Sequence, residues 1–150
     1  MPQSLHRIIV HLVFSTKART PCIDASTLPA LHAYLAAVTR SAGCHCYRVG
    51  GVADHVHLAI GLSRIVSVSA VVRELKTSSS AWLKSRSLEP SDFAWQRGYG
   101  VFSVGPGDLD ALIAYIDRQE EHHRTWTFKD EYLAFLAKYD IEYDARYVWD

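Results

Sequence analysis

The chain has no apolar run near the ~20 residues that a membrane-spanning helix needs. It also has no net charge, with 16 Lys and Arg balancing 16 Asp and Glu over 150 residues. Cysteine is scarce. Cys22, Cys44 and Cys46 are odd in number and form no disulfide framework, which suits a reducing cytoplasm. The opening Met1-Pro2-Gln3-Ser4-Leu5-His6-Arg7 lacks the basic, apolar, small-residue order of a signal peptide. No repeat, low-complexity tract or linker divides the chain, so residues 1–150 are expected to form one domain. At 49% hydrophobic it can bury a real core, which excludes wholesale disorder.

The zero net charge argues at first against nucleic acid, because such domains are often strongly basic. Its distribution permits one. Residues 1–100 carry eleven Lys and Arg against five Asp and Glu, and residues 101–150 carry five against eleven. The zero is a cancellation between a basic portion, where DNA could lie, and an acidic last third. That third, with Glu120, Glu121, Asp140 and Asp144, is expected to face away from DNA or to dock on a partner subunit.

His6 to Phe14 alternates with apolar residues on both sides, as an interior strand does. Leu28, Leu31, Leu35 and Val38 recur at helical spacing until Gly43. Cys44–Val49 and Val52–Leu62 read as two strands, with Gly50-Gly51 supplying the turn chemistry. Val68, Val71, Val72, Leu75 and Trp82 form a second helical stripe opened by Ser67. Tyr99–Val104 is a short β run. Gly105-Pro106-Gly107-Asp108 breaks it and caps a third helix, and a last helix is expected over Asp130–Tyr139. The order β-α-β-β-α-β predicts an α+β, ferredoxin-like or RRM-like antiparallel sheet with helices on one face, plus C-terminal helices. That fold hosts many activities and decides none.

His55 and His57 are the sharpest chemical feature. Alternation along a strand puts both imidazoles on one face, about 7 Å apart at the backbone, where they can converge on a divalent metal. Two histidines need a third ligand. On the third helix, Asp108, Tyr115, Gln119 and His122 share a narrow stripe, with Tyr115 and Gln119 one turn apart. A Gln carboxamide oxygen suits Mg²⁺ or Mn²⁺ better than zinc. A tyrosine one turn away could attack a metal-bound phosphate. Each feature alone also fits plain strand or helix-boundary packing. Cys44-His45-Cys46 lacks a second Cys/His pair at zinc spacing and reads as buried strand.

Asp54-His55-Val56-His57-Leu58, Trp95-Gln96-Arg97-Gly98-Tyr99-Gly100 and Tyr115-Ile116-Asp117-Arg118-Gln119-Glu120-Glu121-His122-His123 together resemble the single-tyrosine HUH transposases of the insertion-sequence two-hundred type. The resemblance runs nearly end to end. It implies that His55, His57 and Gln119 ligate Mg²⁺ or Mn²⁺ and that Tyr115 is the nucleophile. It also implies cleavage and rejoining of single-stranded DNA at hairpin ends through a 5′-phosphotyrosine. The partner would be a second copy, with one subunit's tyrosine helix serving the other's His pair. His122 is a candidate assisting group.

For DNA contacts, Arg73, Lys76, Thr77, Ser78, Ser79 and Ser80 put charge and hydroxyls on one helix, unless they are simply a solvated face. Trp95 and Tyr99 could stack on unpaired bases, whereas Phe102 fits the core better. Lys17 and Arg19, in the loop after the first strand, are weaker candidates.

Rivals remain. Histidine-triad hydrolases need a third His where Ala59 stands, and two-histidine phosphoesterases need a second motif that His11-Leu12-Val13 does not supply. A domesticated relative processing genomic palindromes, or a non-catalytic single-strand-binding module, stays open.

Overall fold

The computed structural model describes residues 2–86 and 92–150. Its scaffold is a four-stranded antiparallel sheet in the order β2-β3-β1-β4, with β1 at Ile9–Ser15, β2 at His45–Val52, β3 at His55–Gly61 and β4 at Gly100–Val104. The doubly apolar β1 sits inside the sheet, paired with β3 and β4, as its two-sided pattern requires. It begins at Ile9 rather than His6.

Helices α1 (Leu28–Ser41) and α2 (Val68–Ser85) cover one face. Leu31, Leu35, Val71, Val72 and Leu75 pack there against Leu12, Phe14, Val56, Leu58 and Ile60. Ser67 caps α2 by accepting the Ala70 N–H.

The other face belongs to the C-terminal helices. Helix α3 (Leu109–Asp117) sets Leu109 and Ile116 on Ile9 and Ala59. The helix expected to run on to His122 breaks at Arg118 (φ −100°, ψ 15°), and a single further turn, α4, covers Gln119–His122. Helix α5 (Phe128–Lys138) packs Phe128, Tyr132 and Leu136 on Val13 and Phe102. It starts earlier than Asp130 because Thr127 and Asp130 form a reciprocal capping box.

The β2–β3 turn also differs from expectation. It falls at Ala53-Asp54, and Gly50 and Gly51 lie within β2. Their smallness serves packing instead: a Cβ on Gly50 would stand 2.6 Å from Ile116 Cγ2 and 2.8 Å from its carbonyl oxygen. Helix α3 thus rests directly on the strand backbone.

Candidate active site

The odd-numbered residues of β1 and β3 face α3 and α5, so His11, His55 and His57 enter the same buried layer. Register places Val13 opposite His57 and Ser15 opposite His55. Both imidazoles of the pair have no solvent exposure.

Each has a defined outer partner. Asp54 Oδ1 lies 2.6 Å from His55 Nδ1, and His11 Nε2 lies 2.7 Å from His57 Nδ1. The two Nε2 atoms turn inward. His55 Nε2 is 3.0 Å from Gln119 Oε1, and His57 Nε2 is 2.9 Å from Glu131 Oε1. Since a carboxylate only accepts, His57 donates through Nε2, and its Nδ1 accepts from His11.

Glu131 is the hub. Its Oε1 faces the two histidines, while Oε2 accepts from the Tyr115 hydroxyl and from Gln119 Nε2 at 3.1 Å. His122 Nε2 and His123 Nε2 approach Oε2 to 3.3 and 3.2 Å. His123 Nε2 is buried yet not aligned to make a hydrogen bond. The candidate ligand atoms of His55, His57, His123 and Glu131 all lie within 4.8 Å of one another.

Electrostatics follow from this crowding. Burial works against the His55 imidazolium, but the Asp54 and Glu131 carboxylates outweigh it and raise the pKa to about 9. Burial dominates at His57, aided by the charge of His55, and lowers it to about 4. Burial, then His57, pushes His11 well below the ordinary range. Burial opposes ionisation of Glu131, yet the surrounding imidazoles hold its carboxyl below the usual range. Burial and the Glu131 charge both raise the Tyr115 phenol.

The donor set fits a divalent cation. Two imidazole nitrogens and a carboxylate oxygen converge, a carboxamide oxygen is at hand, and both histidines have outer partners that orient them. His123 adds a nitrogen that faces Glu131 Oε2 at 3.2 Å without an aligned hydrogen bond.

Beside Tyr115 the site opens into a cavity of about 710 Å³ bounded by Arg118, His122 and Arg124. Glu121 lines it too, and Glu131 sits at the centre of the site, so the acidic third does not turn wholly away.

The sequence profile of the family described as Transposase IS200 like matches residues 4–119. The chain belongs to this family. A search of curated proteins found no match to it. Among solved structures, a Deinococcus radiodurans R1 protein described as a candidate transposase aligns with TM-score 0.62 at 20% identity, covering 79% of this chain and 98% of that one. A REP-associated tyrosine transposase bound to a REP hairpin aligns with TM-score 0.61 at 14% identity, covering 85% of this chain and 76% of the other. These two likenesses speak for the fold.

Within this IS200-like transposase, one chain brings together Tyr115, His55, His57, Gln119 and His122. His122 Nε2 stands 3.4 Å from the Tyr115 hydroxyl. The break at Arg118 leaves the expected stripe intact at Tyr115, Gln119 and His122.

The proposed DNA-contacting set disperses, and most of it must be corrected. Trp95 is buried and donates its Nε1–H to Ser79 Oγ at 2.9 Å, so neither side chain faces solvent. Lys76 donates to the carbonyls of Gln96, Arg97 and Gly98 at 2.8, 3.1 and 2.7 Å, which pins that segment. Its ammonium also lies over the rings of Phe14 and Tyr99, and Tyr99 is half-buried. Ser78 donates to Glu74 on its own helix. Of the helix residues named for this role, Arg73 and Thr77 are exposed. The four-residue periodicity that groups such residues on a helix does not say which of its faces meets the core.

Sequence reasoning missed Glu131, His11 and His123 as site residues. Glu131 had a signal: it falls in the apolar stripe of Phe128, Tyr132, Phe135 and Leu136, where an unpaired carboxylate is costly to bury. His11 likewise is a polar residue on a central strand.

Among the described residues no helix is long and apolar enough to cross a membrane.

Proposed function

We propose that this IS200-like transposase cleaves and rejoins single-stranded DNA at hairpin ends through a covalent 5′-phosphotyrosine on Tyr115, with a divalent metal, Mg²⁺ or Mn²⁺, at the His pair. The observation that carries this reading is that the Tyr115 hydroxyl donates to the same Glu131 carboxylate that His57 contacts. Nucleophile and ligand cluster thereby meet around one residue.

His55, His57 and Glu131 would hold the metal, with Gln119 or His123 completing the set. When bound, the metal supplies a Lewis acid that withdraws charge from the scissile phosphate. The chain's own groups do the rest. Asp54 and His11 orient the two imidazoles. Glu131 Oε2 accepts from the Tyr115 hydroxyl and aligns it, and His122, with Nε2 3.4 Å from that hydroxyl, is the group placed to take the phenolic proton. Tyr115 Oη forms the new bond to phosphorus, the P–O3′ bond breaks, and the leaving oxygen takes up a proton as a 3′-hydroxyl. The product keeps a phosphodiester, so an incoming 3′-hydroxyl reverses the exchange without an external energy source. Arg118 and Arg124, at the cavity mouth, suit the flanking phosphates.

The hairpin-bound REP-associated transposase supports hairpin DNA as the substrate class. We further place the active unit as a homodimer. The convergence of the catalytic groups within a single chain supports a site built in one subunit, and a site that pairs one subunit's tyrosine helix with the other's histidines is the second arrangement.

The test is a denaturant-resistant adduct formed with a labelled hairpin oligonucleotide and Mn²⁺. The adduct should appear with single strands, disappear with Tyr115→Phe, and fail with the matching duplex. An adduct that survives Tyr115→Phe overturns the assignment of the nucleophile.

A further inference from the structure

His123 stands at the edge of the ligand cluster with its ring held as a metal ligand's is. Its Nδ1 lies 2.8 Å from the carbonyl oxygen of Trp126. A carbonyl only accepts, so Nδ1 carries the proton and Nε2 of the neutral ring presents its lone pair. That nitrogen is buried, the side chain being 8% exposed, and it faces Glu131 Oε2 at 3.2 Å without an aligned hydrogen bond. Two acceptors are thus turned toward each other, and a cation is what reconciles them. His55 and His57 have outer partners of the same kind in Asp54 and His11.

The cluster holds a complete ligand set for an ion of low coordination number. His55, His57, His123 and Glu131 each offer one atom, and these atoms all lie within 4.8 Å of one another. Imidazole nitrogen and carboxylate oxygen are donors that zinc takes, at about 2.0–2.2 Å and in a tetrahedron. A tetrahedron of that size has donor–donor edges of about 3.4 Å. Glu131 stands 3.4 Å from His55, 2.9 Å from His57 and 3.2 Å from His123. Gln119 Oε1, 3.0 Å from His55 Nε2, is a donor of the other kind, a carboxamide oxygen that suits hard ions.

The count of protein ligands then decides what the ion can do. Six-coordinate Mg²⁺ or Mn²⁺ on these residues keeps positions for a phosphate oxygen and water. Four protein ligands saturate Zn²⁺, as in structural zinc sites, whereas catalytic zinc sites keep one position open. Imidazole nitrogen also binds Zn²⁺ more tightly than Mn²⁺.

We propose that the cluster has a second, closed state, in which His55, His57, His123 and Glu131 bind Zn²⁺ tetrahedrally and shut off strand cleavage by leaving the scissile phosphate no coordination position. The proposal rests on the transposase reading above and concerns the regulation of that same site. His123 separates the two states: it is the fourth ligand to zinc, and Gln119 completes the set for the harder ion. Zinc is thereby a competitor of the working cation at one cluster, and exchange between the two cations turns cleavage on or off.

The probe for the closed state is Co²⁺, which absorbs visible light strongly when four-coordinate and weakly when six-coordinate. Wild-type protein is expected to show the intense band, and Zn²⁺ should displace it. His123→Ala should show only the weak one. Its Zn²⁺ affinity should fall by roughly 100-fold or more, while its Mn²⁺ affinity changes by less than about tenfold. His123→Phe keeps the ring's bulk and cannot ligate, so it should behave as His123→Ala does. Both variants should melt with wild type in EDTA and lack its zinc-induced rise. Should both fail to fold, the wild-type spectrum alone decides. Zn²⁺ should also suppress adduct formation by wild type in Mn²⁺, and EDTA followed by fresh Mn²⁺ should restore it. A weak spectrum in wild type, or an intense one kept by both variants, overturns the closed site. Full adduct yield with Zn²⁺ bound overturns the off state. No adduct in Mn²⁺ alone overturns the transposase reading and the off state with it, and the Co²⁺ spectrum still decides the zinc site.

Discussion

His11 on β1 holds His57 on β3 through a 2.7 Å hydrogen bond between ring nitrogens. The bond leaves His57 one nitrogen to offer inward, so a residue outside the ligand set decides which one. When His57 ligates through Nε2, its Nδ1 must carry the proton and donate to His11 Nε2, the reverse of the polarity in the metal-free arrangement. His11→Ala should therefore weaken Mn²⁺ binding by roughly 10–100-fold. His11→Gln, whose carboxamide oxygen can accept the same bond, should recover part of it. Calorimetric titration of the two variants checks this, and equal affinities for both would remove His11 from the site.

Glu131 contacts both histidines and the tyrosine, so its loss should show in two separate readouts. Glu131→Gln is expected to cut Mn²⁺ affinity by roughly tenfold or more, since a charged oxygen donor is replaced by a neutral one. It should also lower the pKa of Tyr115, because the carboxylate charge is one cause of its rise. Mn²⁺ electron spin resonance and ultraviolet titration of the phenol report the two effects. Unchanged values in both would contradict the hub geometry.

Gly50→Ala would drive a Cβ to 2.6 Å from Ile116 Cγ2 and to 2.8 Å from the Ile116 carbonyl. Backbone cannot yield as a side-chain tip does, so α3 must lift from β2 and carry Tyr115 with it. Overpacking of this kind costs roughly 1–3 kcal/mol. The melting temperature should fall by several degrees and adduct formation should fall further than stability alone explains. A variant as stable as wild type would show that α3 does not rest on this strand.

Metal-free stability should peak near neutral pH. His57 has a folded pKa of about 4 against an ordinary 6.5, so between those values the unfolded chain binds more protons and stability rises with pH. His55 has the opposite sign: at about 9 it stays protonated when folded, so its contribution is complete below 6.5 and is lost as pH rises through 9. Urea midpoints in EDTA should trace a dome with its top near pH 6.5. A midpoint still rising between pH 7 and 9 would mean that His55 is neutral.

The strands and main helices were legible because burial leaves a period in sequence, two residues for a strand and about 3.6 for a helix. Tyr115, Gln119, His55 and His57 stood out for the same reason: each pair is local, two or four residues apart. The Gly50-Gly51 turn was misread because glycine signals a turn and a close approach with the same letter. Arg118 interrupts a helix whose side-chain stripe continues through it, and stripes are all that periodicity reports. In sequence Trp95 and Ser79 read as surface residues because polar atoms that satisfy each other inside a core look, one at a time, like solvated ones.

Local spacing determined by itself the sheet order's raw material, the paired histidines and the tyrosine helix. Only the tertiary structure decided that Glu131, 74 residues beyond His57 in the chain, completes the cluster. It also decided that Lys17, Arg19 and Arg97 share one cavity wall. Both are contacts between elements, and the packing of α5 and the end of the chain onto the sheet that creates them has no period in sequence. The opposed charges of the two parts of the chain were legible in sequence. Folding then put one acidic residue from the last third, Glu131, among the histidines, because a buried carboxylate is tolerated only where imidazoles or a cation meet it.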